Sequence, residues 1–251
     1  MASPKILYED EDILVVNKPA GIMVHGDGRT KNKTISDWIL KTRPEMKEVG
    51  EPARFHGKEG EVKIITRPGI VHRLDKETTG VLIIAKNTYA YRFLKKQFRE
   101  RSIKKTYVAI VHGSVKEERG VIDRPIGRSA ADFRKRSASR GAKGDLRQAI
   151  TTYRTVKRFE EKTKDGIKKY SLLELFPKTG RTHQIRVHLK AIGHPIVSDN
   201  LYAGKLGGGL SLDGPALHAK SVSFFNLSGK SVAVEAPMPA DFKTALESTL
   251  K

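Results

Sequence analysis

One carboxylate of this chain directly follows a short apolar segment and precedes a turn. The segment VHRLD ends at Asp75, and the polar run KETTG follows it. We expect residues 71–75 to form a strand, on which side chains two apart share a face. Arg73 and Asp75 would then lie side by side at a strand end, where loops often display reactive groups. The pattern predicts either a reactive carboxylate or an ordinary structural ion pair.

A second polar cluster occupies residues 179–188, in the segment TGRTHQIRVH. Arg181 precedes a predicted helix N-terminus, a position suited to holding an anion, and it could pair with a phosphate or with Asp75. His183 and His188 suggest a metal site, but their five-residue spacing does not place them on one helix face as in the HExxH motif. We therefore predict core or capping histidines and no bound metal.

Two further features could contact a polyanion or a base. Tyr107 lies in a predicted strand beside basic residues, and its ring is either a half-buried sheet residue or a stacking platform. Residues 128–147 carry seven basic side chains against two acidic ones, and we expect them to form a loop. The loop is either a solvated surface or an arm that contacts phosphates. Its candidate contact residues are Arg134, Lys135, Arg136 and Arg140.

A β-sheet with few helices must position these residues. Apolar and β-branched runs predict strands at 13–16, 81–85, 104–113, 149–160 and 168–176, of which the last two form a hairpin through the turn at 164–166. Helices are predicted at 34–41, 89–101 and 182–193. Thr182 is the expected cap of the third helix, and Gly193 its end. Residues 43–69 are a predicted loop, and the last fifty residues are predicted to be short strands and a proline-rich tail.

The order of these elements predicts the fold class. Strands outnumber helices and do not alternate with them regularly, which favours a mixed α+β fold over a doubly wound parallel sheet. The sequence shows no internal repeat and no linker between separate cores. We therefore expect a single domain over residues 1–251.

Charge and composition restrict the class of partner. The 251 residues include 48 Lys and Arg against 28 Asp and Glu, a net charge of +20 that attracts RNA, DNA or anionic lipid. Cysteine is absent, which excludes disulfides, thiolate metal sites and a cysteine nucleophile. No apolar stretch approaches the ~20 residues of a membrane helix, and the N-terminus does not fit a signal peptide. The expectation is a cytoplasmic protein without a membrane segment.

Three motifs in a fixed order resemble one enzyme family. HRLDKETTGVLIIAK, KTYVAIVHG and LFPKTGRTHQIRVHL, the last followed by GHPIVSDNLY, resemble the RluA-type pseudouridine synthases, which isomerise uridines of ribosomal and transfer RNA. The opening ILYEDEDILVVNKPAGIMVH and the later ALHAKSVSF are also similar to that family. The resemblance therefore covers nearly the whole chain. It implies a mixed, largely antiparallel sheet with flanking helices and a central catalytic cleft.

The resemblance also implies roles for individual residues. Asp75 corresponds to the catalytic aspartate and Arg181 to the arginine that pairs with it. Tyr107 corresponds to the tyrosine that stacks on the uracil and is proposed to act in the final deprotonation. Arg73 corresponds to the arginine inserted into the RNA helix where the target nucleotide leaves, and Ile185 suits an apolar wall of the base pocket. The implied enzyme works on RNA as a monomer without a cofactor.

The sequence departs from the family pattern at two points. Thr79 stands where many relatives have serine, a mild change that should preserve activity. Many relatives also carry an RNA-binding domain of the ribosomal S4 type before the catalytic domain, and here the catalytic motifs begin almost at residue 6. We expect no such domain, so the segments 43–69 and 128–147 become the candidates for substrate recognition.

The implied reaction cleaves the C1′–N1 bond, turns the uracil and joins C5 to C1′. Positive charge develops at the sugar, so an ionised aspartate is a suitable group. Whether Asp75 attacks the sugar, attacks the base or removes a proton stays open. Two alternatives also remain: an RNA-binding protein without activity, and a metal-dependent hydrolase that uses His183 and His188.

Overall fold

The computed structural model describes residues 3–26, 33–56, 62–139, 142–164 and 166–247. In chain order the strands are β1 (Lys5–Glu9), β2 (Ile13–Lys18), β3 (Ala53–His56), β4 (Val62–Ile65), β5 (Thr79–Ala85), β6 (Lys104–His112), β7 (Arg119–Asp123), β8 (Ile126–Ser129), β9 (Arg136–Ser137), β10 (Ala142–Arg147), β11 (Ile150–Thr163), β12 (Gly166–Pro177), β13 (Leu217–Phe225) and β14 (Ser231–Glu235). The helices are α1 (Ile35–Thr42), α2 (Thr88–Glu100), α3 (Gln184–Ala191) and α4 (Ala240–Glu247), with short 3-10 helices at Pro44–Glu48 and Gly204–Leu206.

The chain divides into two compact units. The first unit comprises Met1–Lys104 and Ser221–Pro237, and the second comprises Lys105–Lys220 and Met238–Lys251. Strand β13 contributes residues to both units. The expectation of one catalytic domain over residues 1–251, without an S4-type domain, stays a prediction.

The first unit is built on antiparallel strands β1, β2 and β5, with β14 paired to β13. Strand β2 supplies the apolar run 13–16, which is completely buried, as its β-branched sequence predicts. Asn87 is the N-cap of helix α2, and its Oδ1 accepts a hydrogen bond from the backbone N–H of Ala90 at 2.8 Å. Gln97 on α2 exchanges two hydrogen bonds, of 2.8 and 2.9 Å, with the backbone of Phe225. These bonds fix the helix to β13.

The second unit contains the antiparallel strand order β6-β12-β11-β7 and a separate three-stranded sheet of order β10-β8-β9. Strands β11 and β12 form a long hairpin whose register closes at Thr163 and Gly166. Helix α3 contributes Ile185 and Leu189 to the apolar core of this unit, which also contains Phe242 of α4. This core supports the sheet on which Tyr107 lies.

The predicted α+β class with mostly antiparallel pairing is confirmed. The predicted strands at 13–16, 81–85, 104–113, 149–160 and 168–176 are all present, the last two as the expected hairpin. The three predicted helices are also present, each within two residues of its expected bounds; the third begins at Gln184. Thr34 and Asp37 cap α1 reciprocally, in a capping box.

The strand predicted at 71–75 was wrong. In this segment the chain has irregular backbone, with one isolated bridge between Ile70 and Ile84 beside it. The backbone N–H of Ile83, which a neighbouring strand would use, instead donates to Nε2 of His72 at 2.8 Å. A side chain thus takes the place of a backbone partner, and Arg73 and Asp75 do not lie on a common strand face.

Four smaller expectations also need correction. Segment 43–69 contains a 3-10 helix and the β3–β4 hairpin, and 128–147 contains parts of β8, β9 and β10, so neither is simply a loop. Strands β8, β9 and β10 are short and largely polar and lack the apolar alternation that would reveal them. Thr182 does not cap α3: the N-cap is His183, with φ of 56° and no side-chain capping bond. Helix α4 lies in the expected proline-rich tail.

His188 is a buried polar residue on α3, with none of its surface exposed. Its Nε2 donates to the carbonyl of Arg124 at 3.0 Å, so Nδ1 accepts from the hydroxyl of Thr151 at 2.9 Å in the neutral ring. Burial lowers the pKa of His188 below its ordinary value of 6.5. The folded protein therefore keeps this ring neutral at pH values where the unfolded chain protonates it.

This difference predicts a pH-dependent stability. Because the unfolded state binds the extra proton, the free energy of unfolding should fall as pH decreases through about 6.5, by at most ~1.4 kcal/mol per pH unit for this site. His188→Gln, which keeps a donor and an acceptor, should flatten this slope. Urea unfolding from pH 5 to 7.5 measures it. An identical slope in the variant would contradict the assignment, and the buried His112 should keep part of the slope in both proteins.

Candidate active site and basic surface

Asp75 lies in a tight turn of the first unit. The backbone N–H of Thr78 donates to the carbonyl of Asp75 at 3.1 Å, which closes the turn. Asp75 is half-buried and Arg73 is exposed, whereas Leu74 between them is buried. His72 anchors the approach to the turn, since its ring packs on Phe98 with 4.9 Å between ring centroids and accepts from β5. The irregular segment is therefore fixed by the His72 side chain before Leu74 and by the backbone bond from Thr78 to Asp75 after it.

A buried lysine at the end of β2 fixes the other side of this turn. Lys18 has none of its surface exposed, and its Nζ donates to three carbonyls: Pro19 at 2.8 Å, Ile22 at 2.9 Å and Lys76 at 2.9 Å. The backbone N–H of Gly21 donates to the same Lys76 carbonyl at 3.0 Å. The ammonium thus joins the 19–22 segment to the residue that directly follows Asp75.

Burial also determines the electrostatics of Lys18. Desolvation lowers its pKa to about 8, against the opposing effect of the negative charges on Glu77 and Asp75. Three donated hydrogen bonds use all three N–H groups of the charged form. The geometry therefore requires an ammonium, and it places a buried positive charge close to the proposed catalytic carboxylate.

Tyr107 lies on β6 of the second unit, opposite Leu175 of β12. It is half-buried and packs against the apolar core of this unit. Lys105 lies two residues earlier, on the same face of the strand, and burial lowers its pKa to about 8. An aromatic ring and a partly desolvated cation therefore share this face.

Gln184 organises the turn that carries Arg181. Its Oε1 accepts from the Thr179 hydroxyl at 2.6 Å and from the Arg181 backbone N–H at 3.0 Å. Its Nε2 donates to the Ile150 carbonyl and to Thr151 Oγ1, both at 3.0 Å. Arg181 is further held by a bond from its Nε to the carbonyl of Gln148 at 3.1 Å. One buried amide thus uses four hydrogen bonds to fix the motif.

A cavity of about 290 Å³ opens beside this turn. Four arginines line it together with one acidic side chain, and the full lining is Ile126, Gly127, Arg128, Arg136, Gly144, Asp145, Arg147, Gly180, Arg181 and Thr182. We call it the arginine cavity. One guanidinium group can donate two parallel hydrogen bonds to a phosphate, so the chemistry of this cavity suits a phosphate backbone. It brings together Arg136 and Arg181, which were predicted site residues, with Arg128 and Arg147, which belong to the predicted basic segment but were not among its candidate contact residues.

Two of the remaining predicted basic residues pair with a neighbouring carboxylate instead of lining the cavity. Arg134 and Lys135 lie in the turn between β8 and β9, and both form ion pairs with Asp132, at 2.8 and 3.7 Å. Arg140 lies outside the described residues. Ile185 is buried in the core of the second unit, with 6% of its surface exposed.

Tyr202 connects the basic sheet to the start of α3. Its hydroxyl oxygen accepts from the backbone N–H of Arg136 at 2.9 Å and lies 2.8 Å from Nδ1 of His183. The guanidinium of Arg186 lies 5.0 Å from the centre of its ring and is paired with the buried Asp199 at 2.7 Å. Tyr202 therefore fixes β9, and with it one wall of the arginine cavity.

The histidines and carboxylates show no metal-binding cluster in the described ranges. His183 contacts Tyr202, and His188 contacts Thr151 and Arg124. Both rings thus have structural partners, as the core or capping interpretation expects.

A family model described as RNA pseudouridylate synthase matches residues 12–191 of this chain. The chain belongs to this family. It is therefore an RNA pseudouridine synthase, an enzyme that isomerises uridine in RNA to pseudouridine. The activity expected from the HRLD, KTY and GRTHQIR motifs is confirmed at this level.

Named relatives agree with the family assignment. An uncharacterized RNA pseudouridine synthase of Synechocystis sp. is 39% identical over 242 residues, which cover 96% of this chain and 67% of the relative. The ribosomal large subunit pseudouridine synthase D of Zymomonas mobilis is 36% identical over 95% of this chain and 70% of its own length. Among solved structures, human RNA pseudouridylate synthase domain containing 1 matches with a TM-score of 0.71 and 26% identity, over 94% of this chain and 84% of that one.

None of the described helices of this synthase is both long and apolar enough to cross a membrane.

Three residues of this pseudouridine synthase were not recognised from sequence as functionally important. Lys18 lies at the end of the buried strand β2. A charged residue at a position where the strand pattern expects an apolar one indicates a buried charge with a structural role. Gln184 lies within the GRTHQIR motif and Tyr202 within GHPIVSDNLY. In both cases the type of amino acid alone does not predict that the side chain bonds to a distant backbone. All three act by fixing backbone, which sequence patterns do not display.

Lys18→Met should destabilise the enzyme and misplace Asp75. Methionine fills the volume but removes the donor to the carbonyls of Pro19, Ile22 and Lys76. The Lys76 carbonyl keeps its bond from the Gly21 N–H, so the loss falls on the other two, at a cost of about 1–3 kcal/mol for each buried carbonyl left unpaired. We expect a loss of several kcal/mol in urea unfolding and a lower single-turnover rate below the melting temperature. Lys76→Met is the matched control, because it removes an exposed ammonium and keeps the backbone carbonyl. Wild-type stability and rate in Lys18→Met would show that the ammonium is not needed.

Proposed function

We propose that this synthase isomerises uridines in structured ribosomal or transfer RNA, with Asp75 as its catalytic carboxylate. The observation that carries the assignment is the turn around Asp75, whose backbone is fixed by the buried Lys18 on one side and by the half-buried His72 on the other. Support for a ribosomal substrate comes from relatives named for the large ribosomal subunit in Zymomonas mobilis and Borreliella burgdorferi.

The chemistry suits a rigidly presented carboxylate. Cleavage of the C1′–N1 bond develops positive charge at the sugar, which an ionised aspartate can stabilise or trap. A group that is already oriented needs no reorganisation when the charge develops. The bonds that fix residues 72 and 76 provide this orientation through the backbone.

The other roles form part of the same proposal. Tyr107 stacks on the uracil, and its hydroxyl takes part in the final removal of the proton at C5. Arg181 supplies positive charge to the reaction, and Ile185 forms part of an apolar wall. Arg73, exposed and two residues before Asp75, fills the position that the target nucleotide leaves, since a base must leave its helix to react.

The arginine cavity is the proposed RNA-backbone site. The positive charge of its four guanidinium groups exceeds the negative charge of the single carboxylate, that of Asp145. The net positive charge of the chain also favours binding of a polyanion. Arg134 and Lys135 are weaker candidates than the sequence suggested, because Asp132 already pairs with both. That the enzyme acts as a monomer in the cytoplasm stays a prediction.

Asp75→Asn should abolish turnover while RNA affinity and folding stay close to wild type. The neutral amide keeps the shape but cannot supply the negative charge required in the transition state, so the rate should fall by on the order of 10³-fold or more. Single-turnover formation of pseudouridine, detected by chemical derivatisation, measures the effect. Glu77→Gln removes an exposed carboxylate two residues away and should retain activity. Comparable rates in both variants would end the assignment of Asp75.

Replacing Arg128, Arg136 and Arg147 together with glutamine should weaken RNA binding. Each lost phosphate contact should remove roughly 0.7–0.9 from the slope of log affinity against log salt concentration. Filter binding at several salt concentrations measures the slope. The control replaces Arg92, Lys96 and Lys95, exposed on α2, and loses the same charge. Equal slopes for the two triple variants would show that the cavity is not a phosphate site.

A further inference from the structure

The turn between β8 and β9 exposes an aromatic ring. Phe133 has 87% of its surface exposed, more than any other large apolar side chain among the described residues. Single exposed apolar residues are common, so exposure alone carries no meaning. What distinguishes Phe133 is the structure of its turn and the charges around it.

The turn is held by a dense set of hydrogen bonds to Asp132. The backbone N–H of Lys135 donates to the Asp132 carbonyl at 3.0 Å, which closes a β-turn with Phe133 at its second position. Asp132 Oδ1 accepts from the backbone N–H and from Nε of Arg134, both at 3.0 Å, and Oδ2 accepts from Nη2 at 2.8 Å. These bonds hold the pKa of Asp132 well below its ordinary value, so the pair is charged at neutral pH. The turn thus presents Phe133 on a fixed backbone.

Phe133 is also linked directly to the arginine cavity. The strands that lead to and from the turn pair Arg128 with Arg136, and both residues line the cavity. The backbone N–H of Ser129 donates to the carbonyl of Lys135 at 3.1 Å, which continues the hairpin up to the turn. Cations that suit phosphates therefore occupy the base of the hairpin, and an aromatic face occupies its tip.

We propose that Phe133 stacks on an unpaired base of the substrate RNA, on the strand whose phosphates lie in the arginine cavity. This inference rests on the proposed RNA-backbone site and adds to it a preference for RNA that contains unpaired bases. Stacking on an aromatic ring accepts any base but requires that the base be unpaired. The enzyme should therefore favour RNA with an unpaired nucleotide near the target uridine over a continuous duplex.

Three substitutions at this position separate stacking from simple apolar contact. Phe133→Ala and Phe133→Leu should each weaken binding of a hairpin-loop RNA by about tenfold, whereas Phe133→Trp should bind as wild type or more tightly. The maximal single-turnover rate at saturating enzyme should change little in all three. Tyr89→Ala, which removes another exposed aromatic residue from α2, is the matched control. Because Phe133 is exposed, thermal melts should be unchanged.

A fluorescence measurement reports stacking directly. Trp38 is the one tryptophan of the chain, so Phe133→Trp with Trp38→Phe leaves a single indole at the hairpin tip. We expect this indole to be quenched by the loop RNA and not by a fully paired duplex of equal length.

The outcomes separate this inference from the proposed function. Three results would each overturn the stacking contact. They are wild-type RNA affinity in Phe133→Ala, wild-type RNA affinity in Phe133→Leu, and equal quenching of the indole by duplex and loop RNA. If wild-type enzyme forms pseudouridine and Asp75→Asn does not, such a result would leave the proposed function intact. If instead the arginine triple variant keeps its salt slope, the backbone site on which the inference rests has failed.

Discussion

The geometry of the first unit depends on one buried ammonium. Lys18 is surrounded by backbone carbonyls, and the free energy lost when its charge leaves water is offset only because each N–H group has a partner. Two of those partners lie in the segment after β2, and the third directly follows Asp75. The same interaction thus satisfies a buried charge and sets the backbone of the proposed catalytic turn.

The second unit uses a comparable principle with neutral groups. Gln184 fixes the turn of Arg181 with its amide, and Tyr202 fixes β9 with its hydroxyl. In each case a polar side chain bonds to backbone and leaves the neighbouring charged side chains for a ligand. The arginines proposed to contact RNA are therefore held in place by other side chains. Because these supporting residues lie far apart in the sequence, preorganisation of the site depends on distant parts of the chain.

The sequence predicted most of the regular elements because their signals are local. The β-branched runs of β2 and β5 and the capped helix α2 each express their structure within a few residues. The turn of Asp75 could not be predicted in this way. Its backbone is determined by Lys18, which is remote along the chain, and by a bond from the Ile83 backbone to the His72 side chain, which no apolar pattern reveals. The hairpin β8–β9 was missed for another reason: its strands are short, polar and rich in arginine, a composition also typical of a loop. Motif order identified the family, but the arginine cavity needed the structure, because Arg128 and Arg147 lie far from Arg181 in sequence.

The division of β13 between the two units has a consequence for synthesis on the ribosome. Residues 1–104 emerge first, yet Gln97 hydrogen bonds to Phe225, and β14 begins only at Ser231. The first part of the chain must therefore wait for more than a hundred later residues before its last partners exist. During that interval Gln97 lacks its two bonds to Phe225 and β13 is missing, so the nascent enzyme exposes apolar surface that β13 later covers. The first unit is completed only after Ser231–Glu235 has been made, although its proposed catalytic aspartate is made much earlier.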